Sequence, residues 1–433
     1  MLRFWTLLAL MCTTPFICGA SYADSAAGSV DEVIQWNKTL LTIVRTAGAQ
    51  PATVHPTRSF AIMHAAVYDA VNSIDATHKP YLVRVEHVSP HASQEAAAAA
   101  AAHETLITLY PAFQTTLDQQ YDQSLAQIPD GADKTTGIDV GKAVAQAILT
   151  LRSDDGSAAT PIPFVFGNAP GDYQSTPPNF PKPQFTHWSR VTPFALERAN
   201  QFRLGPPPAL TSAEYTASFN EVKSLGIANS TAATADQALI GRFWNGAIQN
   251  YWNEITQTAV QAHHLTTAQS ARVFALLNLT LADEVIAFYD TKYTYNLWRP
   301  VTAIRAAATD GNPDTAADPT WIPQAGKTAA DPSYPGAHAT ISAGAAFVLR
   351  SVFGNSIHLN VTSEVLPGVV RSFDSFADTE NEASLSRIYA GQHFRSDENA
   401  GERLGSAVAD FVVDNVLTRV HGRDGEADEG RAD

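Results

Sequence analysis

The segment from Lys292 to Pro300 carries two cationic side chains, Lys292 and Arg299, seven residues apart. Seven residues correspond to about two helical turns, so both side chains are expected on one face of a helix that Pro300 weakens. Two cations on one face repel each other, and an anion bound between them relieves that repulsion. A single Lys/Arg pair is more often a solvated basic stripe, so this pair indicates an anion site only if other residues join it.

A second segment runs from Pro332 to Thr340, and in it a Pro/Gly turn at Pro335-Gly336 leads directly into an apolar helix. This arrangement places His338 in the first helical turn, where free backbone amides and the helix dipole favour an anion. A lone histidine at such a position is more often a capping or core residue. The segment therefore adds to the anion-site hypothesis without establishing it.

The third segment contains Arg387 and, six residues later, His393. On a straight helix the two side chains would lie on nearly opposite faces, but Gly391 offers a break that could bring them to one point. Asp397 follows His393 by one helical turn and could accept a proton from the ring, which would fix the tautomer.

Together, and in this order, the three segments resemble the vanadium-dependent haloperoxidases. This family belongs to a superfamily that includes the type 2 phosphatidic acid phosphatases and the bacterial class A acid phosphatases. The family pattern is Lys, six residues, then Arg-Pro; a Pro-Ser-Gly-His turn; and Ser-Arg, five residues, then His. The matching residues are Lys292, Arg299, Pro300, Pro335, His338, Ser386, Arg387 and His393. The contexts of Trp298 and Tyr334 are closer to the haloperoxidase branch, and the stretch from Arg58 to Ala70 is similar to the N-terminal helix of secreted bacterial members.

The resemblance implies an all-α helical bundle with its oxyanion site in the C-terminal part. It implies a vanadate cofactor, with His393 as the axial ligand to vanadium. The residues implied to neutralise the equatorial oxygens are Lys292, Arg299, Arg387 and the backbone of Gly336 and Ala337. His338 would act as acid and base, and Lys292 would polarise hydrogen peroxide. Halide would then be oxidised to a hypohalous species that halogenates a small organic acceptor.

The chain departs from the family pattern at one point, where Gly336-Ala337 replaces Ser-Gly. The serine hydroxyl that would donate a hydrogen bond to the oxyanion is missing, and its loss is expected to cost about 1–3 kcal/mol of binding free energy. If Gly336 is only a missing hydroxyl, the substitution Gly336→Ser should strengthen vanadate binding.

Two other functions use the same residues. In a secreted acid phosphatase without a cofactor, His393 would attack the phosphorus of a phosphate ester and His338 would protonate the leaving oxygen. The third hypothesis is a catalytically weakened protein that only binds an oxyanion.

Several other titratable residues are weaker candidates for a functional role. The adjacent His263 and His264 lack the spacing of helical zinc ligands, and His64 and Asp69 fit core or supporting roles. The acidic residues suggested as counter-charges for the cations are Asp283, Asp290 and Asp374.

Composition limits the choice of partners. Hydrophobic residues make up 45% of the 433 residues and charged residues 16%, which is a globular balance. The formal net charge is −15 and no Lys/Arg-rich run occurs, so nucleic acid and anionic membrane surfaces are poor candidate partners.

The chain is expected to have four parts. Residues 1–23 are similar to a secretory signal peptide, which predicts a secreted or periplasmic protein whose mature chain has lost both cysteines, Cys12 and Cys18. An N-terminal helical region, 24–196, ends in a Pro/Gly-rich loop that starts near residue 154. A C-terminal catalytic region, 197–418, and a polar tail, 419–433, follow. No later apolar run is long enough to span a membrane.

Helical periodicity predicts helices at about 30–47, 57–74, 96–106, 112–127, 134–152, 212–225, 234–256, 267–298, 337–353, 380–389 and 395–416.

Overall fold

The described part of the computed structural model, residues 31–420, contains thirteen α-helices and one antiparallel hairpin. The helices are α1 (Glu32–Arg45), α2 (Thr57–Asp75), α3 (Gln94–Leu109), α4 (Gln114–Ala126), α5 (Ala132–Arg152), α6 (Ala213–Leu225), α7 (Ala235–Phe243), α8 (Ile248–Ala262), α9 (Thr267–Tyr295), α10 (Pro300–Ala306), α11 (Ala337–Phe353), α12 (Phe376–Tyr389) and α13 (Arg395–Asn415). The strands of the hairpin are β1 (Ser356–Thr362) and β2 (Val370–Ser375). The predicted helical class is confirmed.

The structure differs from the predicted secondary structure at three points. The single helix predicted at 234–256 is two helices, α7 and α8, because α7 ends at Phe243. The helix predicted to reach residue 298 ends at Tyr295, and Pro300 begins α10, since the fixed φ of proline suits a first helical position. The hairpin was not predicted, although alternate residues of β1 are buried.

The core is built around α9, which is buried along almost its whole length from Ser270 to Lys292. On one side α2 packs against α9, α3 and α5, and on the other α11 packs against α9 and α13. The alanine run of α3 allows close approach to α5, where a Cβ added at Gly141 would lie 2.8 Å from the Cβ of Ala100. The helix predicted at 96–106 is thus confirmed as part of α3, which packs closely against α5.

The long Pro/Gly-rich loop lies over the segment that leads into α11. Its Gln184 amide donates to the carbonyl of Ala330 at 2.8 Å, and the hydroxyls of Thr176 and Thr328 are 2.8 Å apart. The loop also reaches the end of α9, where the Tyr173 amide donates to Asn296 at 2.7 Å. The loop thus holds the connection that carries the second motif.

Asp283 of α9 anchors the end of this loop and does not balance the cationic cluster. Its buried carboxylate accepts backbone hydrogen bonds from Phe194 at 2.6 Å and from Ala195 and Leu196 at 2.7 Å. Burial raises the pKa of Asp283 to about 6, although the three amides act in the opposite direction. The role of this residue is structural.

We therefore expect Asp283→Ala to lower the free energy of unfolding by about 3 kcal/mol or more, because three backbone donors would lose their acceptor. The matched control is Asp290→Ala, which removes only an ion pair with the partly exposed Arg203 and should cost less than about 1 kcal/mol. Urea denaturation of both variants measures the difference. Equal costs would contradict the anchoring role.

Residues 31–420 belong to one compact unit, in which helices from before and after residue 196 pack together. The division at residue 196 stays a prediction. The predicted signal peptide, both cysteines and the tail beyond residue 420 lie outside the described residues. Among the helices of residues 31–420, none combines the length and the apolar character needed to cross a membrane.

Candidate functional site

Arg387 and His393 meet because α12 ends between them. The helix stops at Tyr389, Gly391 adopts a left-handed φ of 74°, and α13 begins at Arg395. Only glycine adopts such a φ at little cost, so the break that the sequence suggested is present. It leaves His393 in a short connection immediately before α13.

His393 is 3% exposed and has a contact on each ring nitrogen. Its Nδ1 lies 3.2 Å from Oδ2 of Asp397, and its Nε2 lies 2.9 Å from a terminal nitrogen of Arg299. Because Arg299 can only donate, Nε2 carries the lone pair and Nδ1 carries the hydrogen. Asp397 is itself held by the hydroxyl of Ser333 at 2.5 Å. The structure therefore aims a basic imidazole nitrogen at the cationic residues.

The charges around His393 favour its neutral form. Burial lowers the pKa of His393 well below its usual value, and Arg299, Lys292 and Arg387 lower it further. Burial also raises the pKa of Asp397 to about 6, although its hydrogen bonds act in the opposite direction. A neutral imidazole is the form that can bind a metal or attack an electrophile.

Lys292 and Arg299 meet across two different helices, not on one helical face as the spacing suggested. Lys292 lies near the end of α9, and Arg299 is the residue that precedes α10. Both are buried, at 0% and 1% exposure. They converge on the carboxylate of Asp331, which lies 3.3 Å from the Lys292 ammonium and forms an ion pair with the Arg299 guanidinium.

Asp331 is the acidic partner that the sequence analysis missed. Burial raises its pKa, but the charges of Lys292 and Arg299 outweigh burial and hold the pKa below its usual range. Of the suggested counter-charges, Asp290 pairs with Arg203 and Asp374 is exposed beside His358. The sequence did contain a signal for Asp331, since it is an acidic residue directly before Pro332, where the second segment begins.

The donors of Lys292 are shared between Asp331 and the backbone. Its ammonium donates to the carbonyl of Pro332 at 2.6 Å and to that of Ser333 at 3.1 Å. Burial lowers the pKa of Lys292 to about 8, although Asp331 raises it. Lys292 is thus poised to gain or lose a proton near neutral pH.

Arg387 completes the cluster and is bound mainly by neutral groups. Its guanidinium donates to the side-chain oxygens of Gln392 and of Asn245, the latter at 3.3 Å. Its Nε is buried and has no hydrogen-bond partner among residues 31–420. Burial lowers the pKa of Arg387 to about 10, which still leaves it charged at neutral pH.

The second motif forms the predicted turn, with Gly336 as the residue before α11 and His338 in its first turn. The Gly336 amide donates to the backbone carbonyl of Asp397 at 2.9 Å, so it is not free to bind an oxyanion as the resemblance implied. The resemblance also implied the backbone of Ala337, whose amide lies in the first turn of α11, where no side chain among the described residues caps the helix. Of the two implied backbone groups, the Ala337 amide is therefore the one available to an oxyanion.

His338 is partly exposed, and its Nε2 lies 3.0 Å from the carbonyl of Trp244. A carbonyl only accepts, so Nε2 carries the hydrogen and Nδ1 carries the lone pair. Desolvation and the charge of Arg387 lower the pKa of His338 well below its usual value. The neutral ring suits acceptance of a proton from a reactant.

Glu398 was also missed, and it changes the interpretation of Gly336. A Cβ added at Gly336 would lie 2.6 Å from the carboxyl carbon of Glu398 and closer still to one of its oxygens. The missing-hydroxyl account requires space for a serine at position 336. That space is occupied, so Gly336→Ser alone would force Glu398 to move.

The remaining candidate residues have structural roles. His64 is buried, stacks on Phe274 and lies 2.9 Å from the Asn37 side chain. The Asp69 carboxylate accepts backbone hydrogen bonds from residues 81–83. His263 directly follows α8, and its ring lies against Phe353 with 4.7 Å between the ring centroids.

Comparisons with known proteins identify relatives of the region that contains the three motifs. Residues 272–422, which contain all three motifs, match the model of the VCPO second helical-bundle domain family. The vanadium chloroperoxidase of Curvularia inaequalis is 24% identical over 371 residues, which are 65% of this chain and 60% of that relative. The chain thus spans about three fifths of that relative's length.

Solved structures share the fold along nearly the whole chain. The first bacterial vanadium-dependent iodoperoxidase superposes with a TM-score of 0.74 at 24% identity, over 90% of this chain and 97% of that one. A holo-type bacterial vanadium-dependent chloroperoxidase superposes with a TM-score of 0.66 at 15% identity, over 90% and 96% of the two chains. In fold, and in the helical-bundle domain that contains the three motifs, the chain is therefore similar to the vanadium-dependent haloperoxidases.

Proposed function

We propose that the chain is a vanadate-dependent haloperoxidase that uses hydrogen peroxide to oxidise a halide to a hypohalous species, which halogenates a small organic acceptor. The observation that carries the proposal is that three buried cations lie around the neutral His393, whose Nε2 lone pair faces one of them, Arg299. A divalent cation would be repelled by such a site, whereas a tetrahedral oxyanion would be attracted.

The residues present fit vanadate. Arg387 offers a buried nitrogen without a partner, and the Nε2 lone pair of His393 is held only by Arg299. Bound vanadate would supply a Lewis-acidic centre that activates hydrogen peroxide for attack by halide. Lys292, Arg299 and Arg387 would neutralise the oxygens of the oxyanion, and His393 would hold vanadium through Nε2.

The other residues would orient groups and move protons. Asp397 fixes the ring of His393 through Nδ1, which keeps the lone pair on Nε2. His338, neutral and with its lone pair on Nδ1, would take a proton from hydrogen peroxide and return it to the leaving oxygen. The charge of Lys292 would polarise the peroxide. Export of the chain is part of the proposal and is supported by its N-terminal sequence alone.

Oxyanion affinity should decrease as the pH rises through about 8, because burial lowers the pKa of Lys292 to about 8 and the neutral amine no longer attracts an anion. The control variant is Lys292→Met, whose side chain is neutral at every pH. Comparing the phosphate affinities of the two proteins at the same pH removes the effect of the titration of phosphate itself. The affinity advantage of the wild-type protein over this variant should be largest near pH 7 and should shrink by up to about tenfold per pH unit above pH 8. Calorimetric titration with phosphate from pH 6 to 10 measures it, and a constant ratio would show that Lys292 does not contribute its charge.

The proposed activity is tested with the purified full chain, with and without added vanadate. We expect peroxide-dependent oxidation of iodide, bromide or chloride that requires vanadate, and little hydrolysis of p-nitrophenyl phosphate. A phosphatase that uses the same residues would hydrolyse the ester without vanadate and would be inhibited by it. Ester hydrolysis without any halide oxidation would overturn the proposal.

A further inference from the structure

Gly336 and Glu398 occupy a single space between α11 and α13. The carboxyl carbon of Glu398 lies 2.6 Å from the position that a Cβ at residue 336 would take, which is closer than two carbon atoms approach without a bond. A side chain at 336 would therefore require the Glu398 carboxyl, the far end of a flexible side chain, to shift. In this chain the Glu398 carboxyl fills the position beside His393 that a side chain at 336 would otherwise fill.

The Glu398 carboxyl lacks a partner within the protein. The residue is 1% exposed, and neither carboxyl oxygen has a hydrogen-bond partner among residues 31–420. Its Oε1 lies 3.7 Å from Nδ1 of His393, too far for a hydrogen bond. A buried polar group without a partner is costly, and native proteins rarely leave one unless a ligand or water supplies the partner.

We propose that Glu398 contacts the bound oxyanion in the place of the missing side chain at residue 336, and that Gly336 is present because it makes room for this contact. The inference rests on the proposed function, since the ligand is the same oxyanion. A carboxyl group that keeps its proton carries an O–H donor, as a serine hydroxyl does, and the oxyanion supplies an acceptor. Glu398 would thus supply, beside Gly336, the donor that the family pattern places on a serine at this position.

The test is calorimetric titration of the full-length chain with inorganic phosphate and with orthovanadate, at one fixed pH. Wild-type protein that binds neither anion would contradict the proposed function itself. If the wild type binds, Glu398→Gln should keep the affinity within about threefold, because the amide retains the shape and an N–H donor. Glu398→Ala should lose about tenfold, the effect of one hydrogen bond to a charged acceptor.

Two further variants test the coupling between the positions. Gly336→Ser alone should weaken binding or lower the melting temperature, because the serine meets the Glu398 carboxyl. Gly336→Ser combined with Glu398→Ala should recover affinity to near the wild-type level, since a hydroxyl then replaces the carboxyl. Loss in the double variant equal to the sum of the two single losses would overturn the exchange.

Glu284 of α9 provides the matched control. Its carboxyl is also fully buried, has no hydrogen-bond partner among the described residues and occupies the space beside a glycine, Gly344. Glu284→Ala should change the melting temperature without changing oxyanion affinity. If Glu398→Ala leaves affinity unchanged as well, Glu398 is only a core residue. If Glu398→Gln and Glu398→Ala both raise affinity, Glu398 is a counter-charge for Arg387, and either result refutes the proposed contact.

Discussion

The substitution His393→Ala is expected to abolish turnover, with a loss of about 10⁴-fold or more, and to weaken vanadate binding severely. The reason is that, of the two described histidines His338 and His393, only His393 has a ring nitrogen in contact with a cation, Nε2 at 2.9 Å from Arg299. His338→Ala should instead leave vanadate affinity within a few-fold of wild type and slow turnover by about 10²–10⁴, the usual contribution of a general acid or base.

The two histidine variants are compared by calorimetry with vanadate and by the rate of peroxide-dependent halide oxidation. Each variant requires a melting curve, since His393 also supports the hydrogen bonds of Asp397. Equal loss of vanadate affinity in both variants would contradict the division of roles between the two rings.

Asp331→Asn is expected to raise the affinity of the site for phosphate and vanadate by about 10- to 100-fold, equivalent to about 1.4–2.8 kcal/mol. In the structure the Asp331 carboxylate binds donors of Lys292 and Arg299 that an incoming oxyanion needs. Removing its charge leaves two buried cations without their counter-ion, and a bound anion would restore the balance. The variant should therefore unfold at a lower temperature than wild type without ligand, and saturating phosphate should recover much of the difference.

Asp155→Asn is the matched control for Asp331, because Asp155 is also a buried carboxylate shared by two arginines, Arg58 and Arg152. This substitution should lower the melting temperature in the same way, but phosphate should not recover it beyond the shift seen for wild type. Unchanged or weaker anion binding in Asp331→Asn would show that Asp331 supports the site and does not compete with the ligand.

The sequence predicted which residues lie close together better than it predicted the helices that hold them. Lys292 and Arg299 were expected on one helical face, yet α9 ends at Tyr295 and the two side chains meet from different helices. The resemblance to the family pattern singled out the pair, whereas the helical argument ignored the break that Asn296 makes with its φ of 51°. The Gly391 break was predictable because its effect is local.

The two missed carboxylates act through contacts distant in sequence. Asp331 gains its role only when the segment before α11 folds against α9, and Glu398 only when α13 packs beside Gly336. No local pattern encodes such contacts, so a glycine in place of the family serine appeared to be a simple loss. The hairpin was missed for another reason, since strands as short as β1 and β2 leave only a weak alternation signal.

A crystal structure of the full-length protein with vanadate, in which anomalous scattering locates vanadium, is the most direct test of the proposed function. We expect vanadium bonded to Nε2 of His393, with Lys292, Arg299 and Arg387 around its oxygens and the Asp331 carboxylate displaced from at least one of its two cations. Vanadium bonded to His338 instead, or bound at a site outside these residues, would contradict it.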